Sequence, residues 1–358
     1  MQRDTSGIDL RDLTARLAAA YDLALTGLSF LPLGEDGYSY RAESVSGTPY
    51  FVKARPARRQ QAAILALAFQ ATVWLHDVYG QSAVLAPHTT SARAPYMRYN
   101  SFIVALFPYI DGTSAMDAAL SDAAWQRLAG LVADVHEGAR ALPTSLRVRK
   151  DVCTISYRPT LVRLLRRGLH AQVVETPLGQ HAALLLREQH DDLVATLHML
   201  EQMHDAAQRD SRPLVLTHGD PNPTNIMTDA QGQLYLLDWD GLALGLPERD
   251  LTFFTGPRFE VFLRAYAAKS RLRLLDADVF RFYFYHWALQ EISDYGTRLV
   301  AGQAHDDELR HAWDELQQYL PLQHAAIARG TQAVQDALHR VALVVRQALF
   351  DTWPEASA

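Results

Sequence analysis

The chain has 358 residues, of which 49% are apolar, with 34 Lys and Arg against 40 Asp and Glu, a formal net charge of −6. That length exceeds what one compact core usually holds, so two lobes are expected. The apolar fraction excludes a disordered chain, and the acidic balance excludes a dedicated nucleic-acid binder, which carries a basic excess.

Residues 9 to 24 carry Leu10, Leu13, Leu17 and Tyr21 at helical spacing and predict an amphipathic helix. Strand patterns follow at Leu28 to Leu33 and Ser39 to Ala42, flanking a turn at Gly34 to Gly37, and again at Tyr50 to Ala54. Gln60 to Val78 reads as a helix, Tyr96 to Arg98 as a weak strand and Phe102 to Tyr109 as a strong one. One helix among these strands makes an α+β unit that ends near residue 108. Beyond it the pattern is mainly helical. Asp122 to Arg140, capped by Ser121, sets Trp125, Leu128, Leu131, Val132 and Val135 on one face. Helical periodicity continues over 157–170, 181–206, 258–268, 276–300, 307–319 and 323–349. Short β interruptions stand at Leu214 to Thr217 and Leu234 to Asp238. The expected organisation is a smaller lobe over 1–108 and a larger one over 109–358.

The chemistry concentrates in Leu214 to Asp240, LVLTHGDPNPTNIMTDAQGQLYLLDWD. A short buried strand delivers His218-Gly219-Asp220 to a loop that Pro221 and Pro223 keep out of helix. Asn225 lies five residues past Asp220, and a turn at Asp229 to Gly232 leads into an apolar run ending at Asp238. Each of these residues alone reads as a turn residue or a strand end. Together they are what phosphoryl transfer requires. One carboxylate orients the attacking hydroxyl and accepts its proton, and hard oxygen ligands hold Mg²⁺ on nucleotide phosphates. Asp220 suits the base role, and Asn225 with Asp238 the metal role.

The set His218-Gly219-Asp220, Asn225 and Asp238 resembles the signature of the aminoglycoside phosphotransferase and choline kinase superfamily. The resemblance implies a protein-kinase-like bilobal fold, with ATP or GTP as phosphoryl donor. By the same resemblance, Lys53 in Tyr50-Phe51-Val52-Lys53 contacts the nucleotide phosphates. Leu106 to Gly112, with Phe107 and Tyr109, forms the hinge beside the base, and Leu128 to His136 is the first helix of the larger lobe. Asp250 in Pro247-Glu248-Arg249-Asp250-Leu251 braces the catalytic loop, with His218 as further support. The runs Asp238-Trp239-Asp240 and Glu248 to Leu251, and a helix ending at Tyr295-Gly296, are shared with the family's spectinomycin phosphotransferases.

Two departures stand out. The loop from Leu33 to Tyr38 holds only Gly34 and Gly37, so any cover over the phosphates comes from backbone near Gly37. No glutamate occurs between Ala54 and Leu75, where the family pairs its lysine with an acid, and Gln61 stands near that place. Arg55, Arg58 and Arg59 are either further phosphate contacts or a solvated turn.

The expected acceptor is a small cationic alcohol, an aminoglycoside or aminocyclitol such as spectinomycin, met by carboxylates and aromatic faces. Asp240 follows the metal ligand by two residues, and Tyr283, Trp287, Glu291 and Asp294 form a stripe along one helix. The rival readings are a kinase of choline, an amino alcohol or a sugar, and a catalytically silent nucleotide-binding regulator. Scattered histidines, His136 and His204 among them, show no metal-ligand spacing and read as surface or packing residues. The single cysteine, Cys153, allows no intrachain disulfide and suits a reducing cytoplasm. No signal peptide is expected in Met1 to Leu10, and no apolar run predicts a membrane span. Monomer and homodimer both remain open.

Overall fold

In the computed structural model of the protein the described residues are 7–33, 37–56, 59–168, 174–271, 275–302 and 305–342. They divide into two compact units. The first is assembled from Met1–Lys150, Leu214–Phe253 and Val261–Arg271, the second from Asp151–Pro213, Phe254–Glu260 and Leu272–Ala358. The lobe end expected near residue 108 falls inside the first unit.

The first unit begins with α1 (Leu10–Tyr21), whose N-cap Asp9 accepts from the backbone N–H groups of Arg11 and Asp12. Five antiparallel strands follow: β1 (Leu25–Leu31), β2 (Tyr38–Ser44), β3 (Pro49–Pro56), β4 (Met97–Tyr99) and β5 (Phe102–Pro108). They pair in the order β1-β2-β3-β5-β4. Side chains alternate across this sheet. Val52 and Ala54 join Val104, Leu106, Tyr40 and the α1 residues Leu13 and Leu17 in one apolar cluster. On the opposite face Phe51, Ile103, Ala105 and Phe107 pack with Phe69 of α2 (Arg59–Val73) and with Leu237. Lys53 is paired with Ala105, and Arg55 with Ile103, so both cations of β3 lie on that second face. The helix expected over 60–78 is α2 continued by one π-helical turn, Trp74–Val78.

Two small sheets complete the unit. β6 (Gly112–Ser114), β9 (Ile226–Asp229) and β10 (Leu234–Leu236) form one, in the order β10-β9-β6. Its hairpin closes where Asp229 accepts from the N–H groups of Gln231 and Gln233 and Gly232 takes a φ of 79°. β7 (Lys150–Asp151), of which Lys150 belongs to this unit, β8 (Val215–Thr217) and β11 (Ala243–Gly245) form the other, in the order β7-β11-β8. α3 (Asp122–Gly138), capped by Ser121 as expected, lies against β8 and buries Leu128, Leu131, Val132 and Val135. α7 (Glu248–Leu251) and the Val261–Lys269 part of α8 (Phe259–Lys269) complete this unit, Phe262 meeting the ring of Trp125 edge-on.

The second unit is helical. α4 (Arg158–Gly168), α5 (Pro177–Glu188), α6 (His190–Ala207), α10 (Asp306–Tyr319) and α11 (His324–Arg340) all contact α9 (Ala277–Ala301). Glycines allow two close approaches. A Cβ on Gly296 would stand 2.6 Å from Leu164 Cδ2, and one on Gly179 would stand 2.5 Å from the Leu299 carbonyl oxygen. The single helix expected over 181–206 is instead α5 and α6, broken at Gln189, with Asp191 and Asp192 in the first turn of α6 where the helix dipole favours acids. α9 does not end at Tyr295-Gly296 but runs to Ala301 and closes on Gly302 at φ 64°. Of the helix expected over 323–349, the part from 343 onward lies outside the described residues. No helix among the described residues is long and apolar enough to cross a membrane.

Candidate active site

β8 is short and fully buried, and its end sets three consecutive residues with distinct tasks. The His218 ring is fixed by its partners: Nε2–H donates to the Leu237 carbonyl at 2.7 Å, and Nδ1 accepts from the Asp220 N–H at 3.1 Å. Burial pulls its pKa down, so the ring is neutral and in one tautomer. Gly219 adopts φ 95°, which favours a residue without Cβ. Asp220 then turns its carboxylate to two amides. Asn222 Nδ2 donates to Oδ1 at 2.8 Å, and Asn225 Nδ2 donates to Oδ2 at 3.3 Å and to the Asp220 carbonyl at 2.9 Å. Burial pushes the Asp220 carboxyl up to about 6, although the Asn222 bond favours the charged form.

Two consecutive residues of α7 hold this loop from behind. Asp250 accepts from the backbone N–H of His218 at 2.8 Å and of Gly219 at 2.7 Å. It also meets His136 Nε2 of α3 at 3.2 Å, and His136 Nδ1 meets the Tyr266 hydroxyl of α8 at 2.8 Å. Burial raises the Asp250 pKa, but the His136 bond and neighbouring positive charge outweigh it and hold the carboxyl below its usual range. Arg249 donates to Thr217 Oγ1 at 2.8 Å and to the Gly241 carbonyl at 3.2 Å. Its guanidinium lies where a Cβ on Gly219 would be. Arg249 therefore ties the Asp220 loop to the turn after Asp238.

That turn follows β10. Asp238 sits in the left-handed region at φ 59°, Trp239 anchors it by donating Nε1–H to the Leu236 carbonyl at 2.8 Å, and its ring lies against His218. Leu237 N–H donates to the Asn225 carbonyl at 2.8 Å, fastening the segments that carry Asn225 and Asp238 together. Asp238 and Asp240 both reach β3. Lys53 Nζ donates to Asp238 Oδ1 at 2.6 Å and to Asp240 Oδ2 at 3.0 Å, and Arg55 pairs with the same Asp240 oxygen. Burial disfavours the Lys53 ammonium, yet the two carboxylates outweigh it and raise its pKa.

The structure thus brings together Lys53, His218, Asp220, Asn225, Asp238, Asp240 and Asp250 in the first unit. Asp240, expected on the acceptor side, pairs with Lys53 and Arg55. Gly37 approaches the Ala54 carbonyl and the Arg55 side chain of β3. The rest of its loop, Gly34 included, lies outside the described residues, as do Arg58 and the Arg59 side chain. Phe107 is buried among Phe51, Phe69 and Leu85, and the Tyr109 ring lies under the Arg41 guanidinium at 5.4 Å. Tyr283, Trp287, Glu291 and Asp294 belong to α9 of the second unit, where exposure grades from a buried Tyr283 to an exposed Asp294. Trp287 Nε1 meets the Tyr319 hydroxyl at 3.4 Å. Sequence reasoning gave no role to Asn222 or Arg249, although Asn222 stands two residues past Asp220 and Arg249 lies within the Glu248 to Leu251 run. His136, through Asp250, belongs to the support of the Asp220 loop as well as to the core.

The phosphotransferase enzyme family (APH) matches residues 27–291, a span that takes in every side chain of this site and ends at Glu291 of the α9 stripe. Protein StrN of Streptomyces griseus is 30% identical over 311 residues, which cover 84% of this chain and 88% of StrN. Among solved structures, spectinomycin phosphotransferase APH(9)-Ia in complex with ADP and spectinomycin superposes with a TM-score of 0.69 at 19% identity. The match covers 91% of this chain and 99% of that one. Amicoumacin kinase hAmiN with AMP-PNP and Ca²⁺ gives a TM-score of 0.58 at 14% identity, over 95% and 100% of the two chains. At these identities the solved structures show the fold, and it is the α+β, protein-kinase-like fold expected. The chain belongs to the phosphotransferase enzyme family and is an ATP-dependent phosphotransferase with an alcohol group as acceptor.

Proposed function

We propose that the chain transfers the γ-phosphoryl group of ATP or GTP to a hydroxyl of an aminoglycoside or aminocyclitol, spectinomycin being the first candidate, with Asp220 as the base. The observation that carries this reading is the Asp220 carboxylate, oriented by two amide donors and raised by burial to about 6. A carboxylate so poised accepts a proton at neutral pH more readily than an exposed aspartate does. The acceptor oxygen forms its bond to phosphorus, the bond to the nucleotide's bridging oxygen breaks, and the hydroxyl proton passes to Asp220. Asn222 and Asn225 keep the carboxylate aimed while this happens.

The residues also suit Mg²⁺. Asn225 uses its amide nitrogen on Asp220, which leaves its carbonyl oxygen as a hard donor, and Asp238 supplies a carboxylate fastened to it through the Leu237 backbone. Among the described residues no group of three or more His, Cys, Asp and Glu side chains could hold a metal ion. A donor pair of this kind suits an ion that arrives on nucleotide phosphates, where it would neutralise charge developing on the transferred group. Lys53 would face the phosphates, with backbone near Gly37 over them and the hinge at Phe107 and Tyr109 beside the base. The acidic and aromatic stripe Tyr283, Trp287, Glu291 and Asp294 supports a cationic acceptor, as does the likeness to spectinomycin phosphotransferase over most of the chain.

Coupled ADP release with ATP, Mg²⁺ and a panel of spectinomycin, aminoglycosides, macrolides, choline and simple amino alcohols tests the proposal. Turnover dependent on an aminocyclitol or aminoglycoside is the expected result. Turnover with choline or an amino alcohol alone would replace the antibiotic by a metabolite, and nucleotide binding without turnover on any acceptor would favour a regulator.

A further inference from the structure

Strand geometry puts Lys53 and Arg55 on the same face of β3, two residues apart, and one oxygen of Asp240 accepts from both. The Asp240 side chain is only 11% exposed. A carboxylate withdrawn from water to that degree needs cationic partners, and these two supply them. Its direction is fixed locally: Asp238 takes the left-handed turn, Trp239 is buried with its indole N–H on Leu236, and the next side chain is returned to β3. Between Ala54 and Leu75 the sequence has neither Asp nor Glu, so α2 offers Lys53 no acid.

A second observation concerns Arg55 itself. A Cβ on Gly37 would lie 2.9 Å from the Ala54 carbonyl oxygen and 3.1 Å from Arg55 Cγ. The close of the β1–β2 connection at Gly37 therefore rests on the stem of Arg55, whose guanidinium reaches Asp240. Guanidinium presents five N–H donors in a planar fork, so it can hold a carboxylate oxygen and a phosphate together. Lys53, in contrast, divides one ammonium between two carboxylates.

Resting on the phosphotransferase reading above, we propose that Arg55 is a second phosphate-binding cation beside Lys53. In the same proposal Asp240 is the positioning residue that holds both, in place of an acid from α2. Asp240 then serves the nucleotide rather than the acceptor.

Calorimetric titration of the full chain with ATP and with adenosine, in the absence of acceptor, tests this. Arg55→Ala and Asp240→Asn each weaken ATP binding by about tenfold or more, as expected for loss of one charge-assisted contact. Adenosine affinity stays within about twofold, because the lost contact is to phosphate. The loss persists in EDTA, which separates positioning of the cations from a part in metal binding, and Arg55→Lys recovers some of the affinity. ATP affinity unchanged in both variants overturns the inference while leaving the phosphotransferase reading intact. So does a loss confined to Mg²⁺-containing buffer, or tighter ATP binding in Asp240→Asn, which would make that carboxylate a competitor of phosphate. Failure of the wild-type chain to bind ATP overturns the reading and the inference with it. Should Asp240→Asn fail to fold by circular dichroism, Arg55→Gln, which removes only the charge, decides by the same criteria.

Discussion

Asp220 and Asp250 are both shielded from solvent, and their environments shift them in opposite directions. The Asp220 carboxyl at about 6 lies above the reference 3.8 because burial disfavours its charge. The fold therefore favours the protonated form; the stability this lends is full below about pH 3.8 and gone above about 6. At pH 7.5 the ionised group opposes folding. Asp220→Asn should raise stability there by an amount on the order of 1–3 kcal/mol, read as a higher melting temperature, while turnover falls by 10²-fold or more, roughly the share of a general base. A variant that melted below the wild type at pH 7.5, with nucleotide and metal absent, would contradict this. Asp250 is lowered, so its contribution is present above about 3.8 and lost as pH falls through its depressed folded value. Asp250→Ala strands two buried N–H donors and His136, and urea titration at pH 7.5 should register a loss of about 2–4 kcal/mol. The ordered spacing of Asp220, Asn225 and Asp238 makes the centre of the site legible in the sequence itself. His136 is not legible there, because a lone histidine has no signature until α3 and α8 bring Asp250 and Tyr266 to its two nitrogens.

Strand alternation and helical periodicity located most of the elements, and they failed where the local signal was weak. β6 and β11 are three residues each, stabilised by pairing with distant segments rather than by their own pattern. The break at Gln189 carries neither glycine nor proline, so periodicity ran through it. What the sequence concealed most fully was why particular glycines stand in helices. Gly179 is one: alanine there gains about 1 kcal/mol of helix propensity. Its Cβ, however, would press on the Leu299 carbonyl at 2.5 Å and on Val174 Cγ1 at 2.6 Å, and backbone cannot step aside cheaply. Overpacking outweighs propensity, and Gly179→Ala should lower stability by about 1–3 kcal/mol in thermal or urea melts. An unchanged or raised melting point would show that α5 and α9 can separate freely.

The chain order of the whole molecule conceals its division. The first unit needs three separate stretches, since β8, β9, β10 and β11 come from beyond residue 213 and part of α8 from beyond 260. The sequence showed a change of pattern near residue 108, which marks the end of the five-stranded sheet, yet compactness follows contacts and not pattern. A fragment ending at Lys150 would expose the apolar face that α3 turns to β8 and leave β6 without β9. Such a fragment should lack a cooperative urea transition, and a sharp two-state curve from it would mean that the sheet and α2 suffice as a folding unit.

Gly219 and Arg249 occupy what is in effect a single volume, because the guanidinium fills the place where any other residue at 219 would put its first carbon. These two positions cannot drift independently through neutral change. A side chain at 219 requires the arginine to withdraw, and withdrawal undoes the link from Thr217 to Gly241 that keeps the Asp220 loop and the turn after Asp238 in step. The positive φ of Gly219 bars the same substitutions a second time. Sequence space around Asp220 is thus narrowed by a residue thirty places down the chain, and positions 219 and 249 are expected to change together or not at all.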